Sequence, residues 1–220
     1  MQLYFSPLSC SLATRISLYE AGAKATFVEV DPKTKLTEDG KDFREVHPLG
    51  LVPTVRTDGG DVLTENAAIL QYVASAFPDA NLAPNDTLGR TRLQQWLCFI
   101  GTELHKSLFV PLLDKKAPAE VKSYALEKEA SRLGYLEKHL TGREFLLDQF
   151  SVADAYLLAV LNWTAVVPID LANYPVVQAY ANRLRERPSI AKAIAEERVL
   201  YARELARHAS QARSASPINP

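Results

Sequence analysis

Near residue 77 the chain changes texture, and this break constrains its fold more than any other feature. Before it, apolar residues fall in short β-rich runs; after it, they recur at helical spacing over long segments. Gln2 to Phe5 reads as a strand, Ser6 to Cys10 as a loop, and Leu12 to Ala21 as a helix closed by Gly22. Leu12, Ala13, Ile16 and Tyr19 or Glu20 lie near one face of that helix. Phe27 to Val30 is a second strand, so the first two strands are expected to be parallel neighbours joined by a right-handed crossover. The polar stretch from Asp31 to Gly50 carries only a weak helix near Lys41 to Val46. Pro53 to Thr57, the turn Asp58-Gly59-Gly60, and Val62 to Glu65 then read as an antiparallel hairpin, followed by a helix from Asn66 to Phe77. The order βαβ, weak α, ββα predicts a small α/β layer on a four-stranded mixed sheet.

Pro78-Asp-Ala-Asn-Leu-Ala-Pro84 is rich in turn formers and reads as a linker. Helices are expected at about 87–112, 119–140, 152–167, 175–186 and 189–208, punctuated by Pro111, Pro118, Thr141-Gly142, Pro168, Pro175 and Pro188. Ser151-Val-Ala-Asp154 has the form of a capping box with Asp in the third-position role, and it opens the most apolar helix of the chain. The expected division is therefore an α/β domain at 1–78, a linker at 79–86, an all-α domain at 87–208, and a disordered tail at 209–220.

Composition narrows the classes of function. A hydrophobic content of 47% in 220 residues supports a substantial core and excludes disordered and fibrous classes. Twenty-five Lys and Arg against 26 Asp and Glu leave no excess positive charge to hold a polyanion, so nucleic acid is not an expected partner. The longest apolar stretch, Ala155 to Ile169, is broken by Asn162, Thr164 and Pro168 and falls short of the roughly 20 residues of a membrane span. Residues 1–10 lack the basic start and apolar run of a secretory signal, and the expected location is the cytoplasm. The two cysteines, Cys10 and Cys98, show no metal-ligand spacing, so no metal is expected and each is read as a free thiol.

Three places carry candidate chemistry. Cys10 sits between the first strand and the first helix, where backbone N–H groups and the helix dipole are expected to lower a thiol pKa. A buried cysteine acting as a small hydrophobe is the bland alternative. The third residue on is Ala13, so there is no C-x-x-C pair and redox chemistry needs an external thiol. Val52-Pro53 precedes the hairpin strand; it is either an ordinary turn proline or a cis bond that frees the Val52 backbone for an extended peptide. Glu65-Asn66 begins a helix, with Asn66 either a plain N-cap or part of a site where helix N–H groups take a carboxylate and Glu65 takes an ammonium.

Taken in order, those places resemble the thioredoxin-like half of a glutathione transferase, and the helical remainder resembles the all-α half of that family. The resemblance runs from Met1 to about Glu197 and looks most similar to the bacterial beta class, which has a cysteine where Cys10 stands in Ser-Cys-Ser-Leu-Ala. The segment Trp96-Leu-Cys-Phe-Ile-Gly-Thr-Glu-Leu-His-Lys106 is a second match and implies that His105 approaches the glutathione sulfur. A lone helical histidine would otherwise read as a surface or core residue. The resemblance further implies that Lys35 meets the glycyl carboxylate, and that Thr102 and Glu103 reach glutathione, Glu103 from a neighbouring subunit. Trp163 is either a border of the second-substrate pocket or a core residue. Two departures stand out: Asn66 replaces the family's usual serine, and Cys98 replaces an asparagine often found near glutathione. Between Leu97 and Phe99, Cys98 is read as an inert buried thiol, and Tyr4 as a core strand residue.

The implied activity is a glutathione transferase with glutathione as co-substrate, bound at Cys10, Lys35, Val52, Glu65, Asn66, Thr102, Glu103 and His105, with Cys10 and His105 catalytic. The second substrate is a small electrophile for conjugation, or a disulfide or peroxide reduced through Cys10. A non-catalytic binding or regulatory protein of the same fold and a glutathione-dependent isomerase or dehalogenase are the alternatives. On a straight helix Glu103 and His105 point about 200° apart, so if both serve glutathione the protein is a homodimer with shared sites.

Overall fold

The computed structural model of the protein describes residues 1–214. Strands β1 (Gln2–Phe5), β2 (Thr26–Glu29), β3 (Thr54–Arg56) and β4 (Val62–Leu63) form one sheet in the order β2-β1-β3-β4. The β1–β2 pair is parallel with Leu3 opposite Phe27, whereas β1–β3 and β3–β4 are antiparallel, with Leu3 opposite Val55 and Val55 opposite Leu63. The expected mixed sheet is present. Helix α1 (Leu12–Glu20) makes the crossover, and α2 (Asn66–Ala76) follows the hairpin. The weak helix foreseen between β2 and β3 is a short 3-10 turn, Phe43–Glu45.

Helix α1 differs from the one-faced helix that its sequence suggests. Every residue from Leu12 to Leu18 is buried, Arg15 included, because the sheet covers one side and the helical half of the molecule the other. Leu12, Ala13 and Ile16 join a core cluster that extends through the second half, while Leu18 joins Leu3, Phe5, Val55, Ile69 and Val73 under the sheet. Each buried Leu or Ile contributes about 1.5–3 kcal/mol by transfer from water. The buried Arg15 guanidinium lies over Phe5 and Phe27 and pairs with Glu196 and Glu197.

The second half holds α3 (Thr87–Phe99), a π-helical segment (Ile100–Phe109), α4 (Val110–Leu113), α5 (Ala119–Leu126), α6 (Glu129–Leu140), α7 (Val152–Leu161), α8 (Pro175–Arg185) and α9 (Pro188–Ser214). Pro111 falls inside the short α4, just beyond the wider-wound segment, and the helical run ends two residues later at Leu113, close to the expected end at about 112. All of α7 is buried, as an all-round apolar helix must be, and it packs on α1 to join the two halves. Its capping box forms as read: the Asp154 carboxylate accepts from the Ser151 N–H and hydroxyl, both at 2.9 Å. It also accepts from the Leu146 N–H at 2.9 Å and the Tyr180 hydroxyl at 2.7 Å.

The expected tail needs correction. Helix α9 continues to Ser214, so residues 209–214 are helical, and the remainder of the assigned tail, 215–220, lies outside the described residues. An apolar stripe is not required to extend a helix already nucleated by packing, and Ala209 and Gln211 are good helix formers. Among the described residues no helix is long and apolar enough to cross a membrane.

Candidate active site

Four separate segments converge on one cleft of about 960 Å³ between the two halves. The β1–α1 loop contributes Ser9 and Cys10, the loop after β2 contributes Lys35, the approach to β3 contributes Val52 and Pro53, and the start of α2 contributes Glu65 and Asn66. The π-helical segment closes the other wall with Thr102, His105 and Lys106, joined by Cys98, Tyr156 and Trp163. A more open groove of about 1360 Å³ lies between the β2 side of the sheet and the start of α9, but it holds neither a thiol nor an imidazole.

Cys10 stands immediately before Ser11, the residue that caps α1. Its loop is fixed from several directions. The Asn66 amide donates to the Cys10 carbonyl at 2.9 Å, the hydroxyls of Ser9 and Ser11 lie 2.7 Å apart, and Leu8, at φ 57°, donates its N–H to Glu197 at 2.7 Å. The Trp163 indole N–H donates to the Leu8 carbonyl at 2.9 Å. The thiol is buried and donates to the Val52 carbonyl at 3.4 Å.

That burial reverses the pKa expectation. Loss of hydration pushes the Cys10 thiol up to about 12, against the lowering influence of the Lys106 charge and the N–H groups of Cys10 and Ser11. The favourable backbone dipoles are where the sequence places them, but desolvation of a thiolate outweighs them. Cys10 is therefore a protonated donor at neutral pH.

The Val52-Pro53 bond is cis, as the second of the two sequence readings has it. The Val52 carbonyl is engaged by the Cys10 thiol, and β3 begins one residue after the proline. At the head of α2, Glu65 takes φ 64° and occupies the cap position without a side-chain capping bond. Asn66 is thus the first helical residue and not the N-cap; its side chain accepts from Thr14 at 3.2 Å while holding the Cys10 carbonyl. Helical bonding begins at Ala68 and Ile69, both donating to the Glu65 carbonyl, so the N–H groups of Asn66 and Ala67 have no intrahelical acceptor. An exposed carboxylate beside those donors is a matched site for an ammonium and a carboxylate on one carbon.

His105 is buried, with Nδ1 2.8 Å from the Tyr156 hydroxyl and its ring centroid 5.0 Å from that of Trp163. Burial first, and the Lys106 charge second, pull its pKa down to about 4, so the ring is neutral at pH 7. Burial raises the Tyr156 hydroxyl above its ordinary value, so it too stays neutral. Since Tyr156 engages Nδ1, Nε2 is the nitrogen left for a ligand. The sequence carries no signal that singles out Tyr156 or Lys106: Lys106 is only the neighbour of His105 along the chain, and Tyr156 one more residue of the apolar α7.

Thr102 lines the cleft, its hydroxyl donating to the Cys98 carbonyl at 3.0 Å. Glu103 does not line it. It faces a different groove with Trp96, Phe99 and Tyr135 and pairs with Arg132 at 2.7 Å. Cys98 is exposed and borders the cleft, contrary to the buried reading, because adjacent helical residues point about 100° apart and apolar neighbours do not bury it. Tyr4 is a core residue as expected, packed on Phe43.

Comparison with known proteins places this architecture. The glutathione S-transferase N-terminal domain model matches residues 9–76, and the C-terminal domain model matches residues 95–188. Glutathione S-transferase GstA of Escherichia coli O157:H7 is 38% identical over 199 residues, which cover 90% of this chain and 98% of that protein. A bacterial beta-class glutathione S-transferase of Sphingomonas chungbukensis superposes with a TM-score of 0.86 at 46% identity, over 90% of this chain and 98% of that one. A sphingomonad glutathione S-transferase solved in complex with glutathione gives 0.86 at 44% identity, with the same coverage of both chains. With both domain models matched and two-domain relatives aligned over nine-tenths of its length, this chain belongs to the glutathione S-transferase family.

Proposed function

We propose that this cleft binds glutathione and transfers it to small electrophiles. The observation that carries the reading is the convergence on one cleft of Cys10, the cis Val52-Pro53 bond, the Glu65-Asn66 helix start and Lys35. Glu65 takes the γ-glutamyl ammonium, and the N–H groups at the start of α2 take its carboxylate. The Val52 backbone pairs with the peptide, and Lys35 takes the glycyl carboxylate. Thr102 and His105 wall the site from the helical half. Asn66 acts at one remove, by holding the Cys10 loop.

Chemistry begins when the glutathione thiol gives up its proton to solvent water, since the thiolate is the nucleophile. The Lys106 charge and the N–H groups of Cys10 and Ser11, which favour a thiolate at Cys10, favour one on glutathione beside it as well. Cys10, protonated, redirects its S–H from the Val52 carbonyl to the glutathione sulfur. His105 offers Nε2 from a ring held by Tyr156. The glutathione sulfur then bonds to the electrophilic carbon, whose leaving group departs with the bonding pair. Thiol exchange through Cys10 is the slower route, because it first needs a proton taken from a group at about 12.

The division into an α/β unit at 1–78, a linker at 79–86 and a helical unit beyond is proposed with this function, as is the cytoplasm, where free thiols persist. We also propose a homodimer, because Glu103 and His105 face different grooves. Sedimentation at micromolar concentration should show twice the 24.4 kDa chain; a 24.4 kDa species contradicts the dimer.

The test of function is calorimetric titration with glutathione alongside steady-state turnover with an activated aryl chloride. Binding with turnover is expected. Binding without turnover of any electrophile supports the non-catalytic alternative, and absence of binding removes the reading.

A further inference from the structure

The family models end by residue 188, yet α9 runs from Pro188 to Ser214, and the E. coli relative is matched over 98% of its own length but 90% of this chain. The far end of this long helix returns to the α/β half. Leu200 packs against the cluster under the sheet, and Arg207 pairs with the buried Glu29 of β2. One residue on, His208 Nε2 lies 2.7 Å from Asp31 Oδ2, with Glu204 Oε1 4.0 Å from its other nitrogen.

Asp31 organises the turn that presents Lys35. Its Oδ1 accepts the N–H groups of Lys33 at 2.8 Å and Thr34 at 2.9 Å, and its carbonyl accepts the Lys35 N–H at 2.9 Å. Lys35 itself takes φ 62°, a left-handed conformation that is strained for a non-glycine residue and persists only where the surroundings impose it. Its carbonyl is held from the other side by the Phe43 N–H at 2.9 Å. The carboxylate of Asp31 thus joins the left-handed turn to α9. Burial alone would push that carboxyl up, but the Thr34 and Lys33 N–H groups and His208 outweigh it and bring it down to about 2.

We propose that the end of α9 is a strap on the substrate site. His208 and Arg207, neither of which lines the cleft, fix the Asp31–Lys35 turn and so hold the Lys35 ammonium where the glycyl carboxylate of glutathione arrives. They are positioning residues acting through Asp31 and Glu29. The inference rests on the assignment of Lys35 made above and adds a segment of this chain that the family models do not reach.

The experiment uses the full chain and four variants: Lys35→Ala, His208→Ala, His208→Gln, and Lys35→Ala combined with His208→Ala. Calorimetry reads the glutathione Kd, kinetics read KM for glutathione against kcat, and hydrogen exchange reads the Lys33 and Thr34 amides. Expected for His208→Ala is a roughly three- to tenfold rise in Kd and KM, with kcat moving less than about twofold, as suits coupling through one intermediary. Exchange at both amides should accelerate. His208→Gln, which keeps a donor nitrogen near the position of Nε2, should recover most of the loss. Adding His208→Ala to Lys35→Ala should cost nothing further, since the strap acts only through Lys35.

The outcomes separate cleanly. If Lys35→Ala weakens glutathione but His208→Ala does not, the strap is overturned and the Lys35 assignment stands. If Lys35→Ala itself leaves the affinity unchanged, the assignment fails and takes the strap's functional role with it. A lowered melting temperature in His208→Ala with unchanged Kd, or equal losses in the presence and absence of Lys35, shows a purely structural contact and also overturns the proposal.

Discussion

In the glutathione-free chain Cys10 should be an unreactive thiol at neutral pH, and its partner cysteine supplies the internal reference. Burial carries its pKa from 9.0 to about 12, so at any pH below 9.0 the thiolate fraction falls by roughly a thousandfold relative to an unperturbed cysteine. Because alkylation proceeds through the thiolate, the rate at Cys10 should fall by about the same factor. Cys98, exposed at the cleft edge, should be modified first. The assay is a timed reaction with iodoacetamide from about pH 6 to about pH 10, quenched and read as peptide masses for both cysteines. Limited access slows Cys10 as well, but access changes the plateau of the rate, whereas pKa changes the pH at which the rate rises. The rate at Cys10 should still be climbing at the top of that range. Lys106→Ala, which removes the charge that holds the pKa down, should delay the rise further. Faster labelling of Cys10 than Cys98 at neutral pH, or a midpoint below 9.0, would refute the claim that desolvation overrides the helix start. A first glutathione adduct on Cys10 after exposure to oxidised glutathione would point the same way.

Three other outcomes follow from the site and the core. Glu65→Ala should weaken glutathione by roughly 1.5–3 kcal/mol, the scale of a bond to a charged group, and an unchanged calorimetric affinity would remove Glu65 from the site. His105 is buried neutral with its pKa lowered from 6.5 to about 4, so the unfolded chain takes up the proton first as pH falls. Stability should drop on acidification through that window, by about 2 kcal/mol at about pH 5, and urea titrations of His105→Gln should lack that component. Asp154→Ala strands the Leu146 N–H and the Tyr180 hydroxyl in the core, each at about 1–3 kcal/mol, on top of the lost cap. The two stranded groups alone sum to about 2–6 kcal/mol, so a melting temperature lower by roughly 4–24 °C is expected for a chain of this length, and an unchanged one contradicts the network.

What could be read from the sequence was whatever depends on neighbours along the chain. Ser151 and Asp154 are three residues apart, so their box was visible; strand and helix periods gave the sheet; and Pro53 before a strand, with a thiol upstream, pointed to the cis bond. The errors share one cause, which is that burial is set by elements remote in sequence. The one-faced reading of α1 has no place for a buried Arg15, which pairs with Glu196 and Glu197 of α9, 181 and 182 positions on. Cys98 looks buried beside Leu97 and Phe99 until the helix turns it toward the cleft. Cys10 is the decisive case. Its pKa depends on two opposing influences, one local and one tertiary. The dipoles of the following helix can be read from a strand-loop-helix pattern, but Cys10 is buried in a cleft whose other walls, Val52, Tyr156 and Trp163 among them, come from later segments. The local influence predicts a thiolate, and the tertiary influence, being larger, leaves a thiol. In that state the cysteine can donate a hydrogen bond but is a poor nucleophile, as the role proposed for it beside the glutathione sulfur requires, so that proposal follows from the depth of the residue and not from its type.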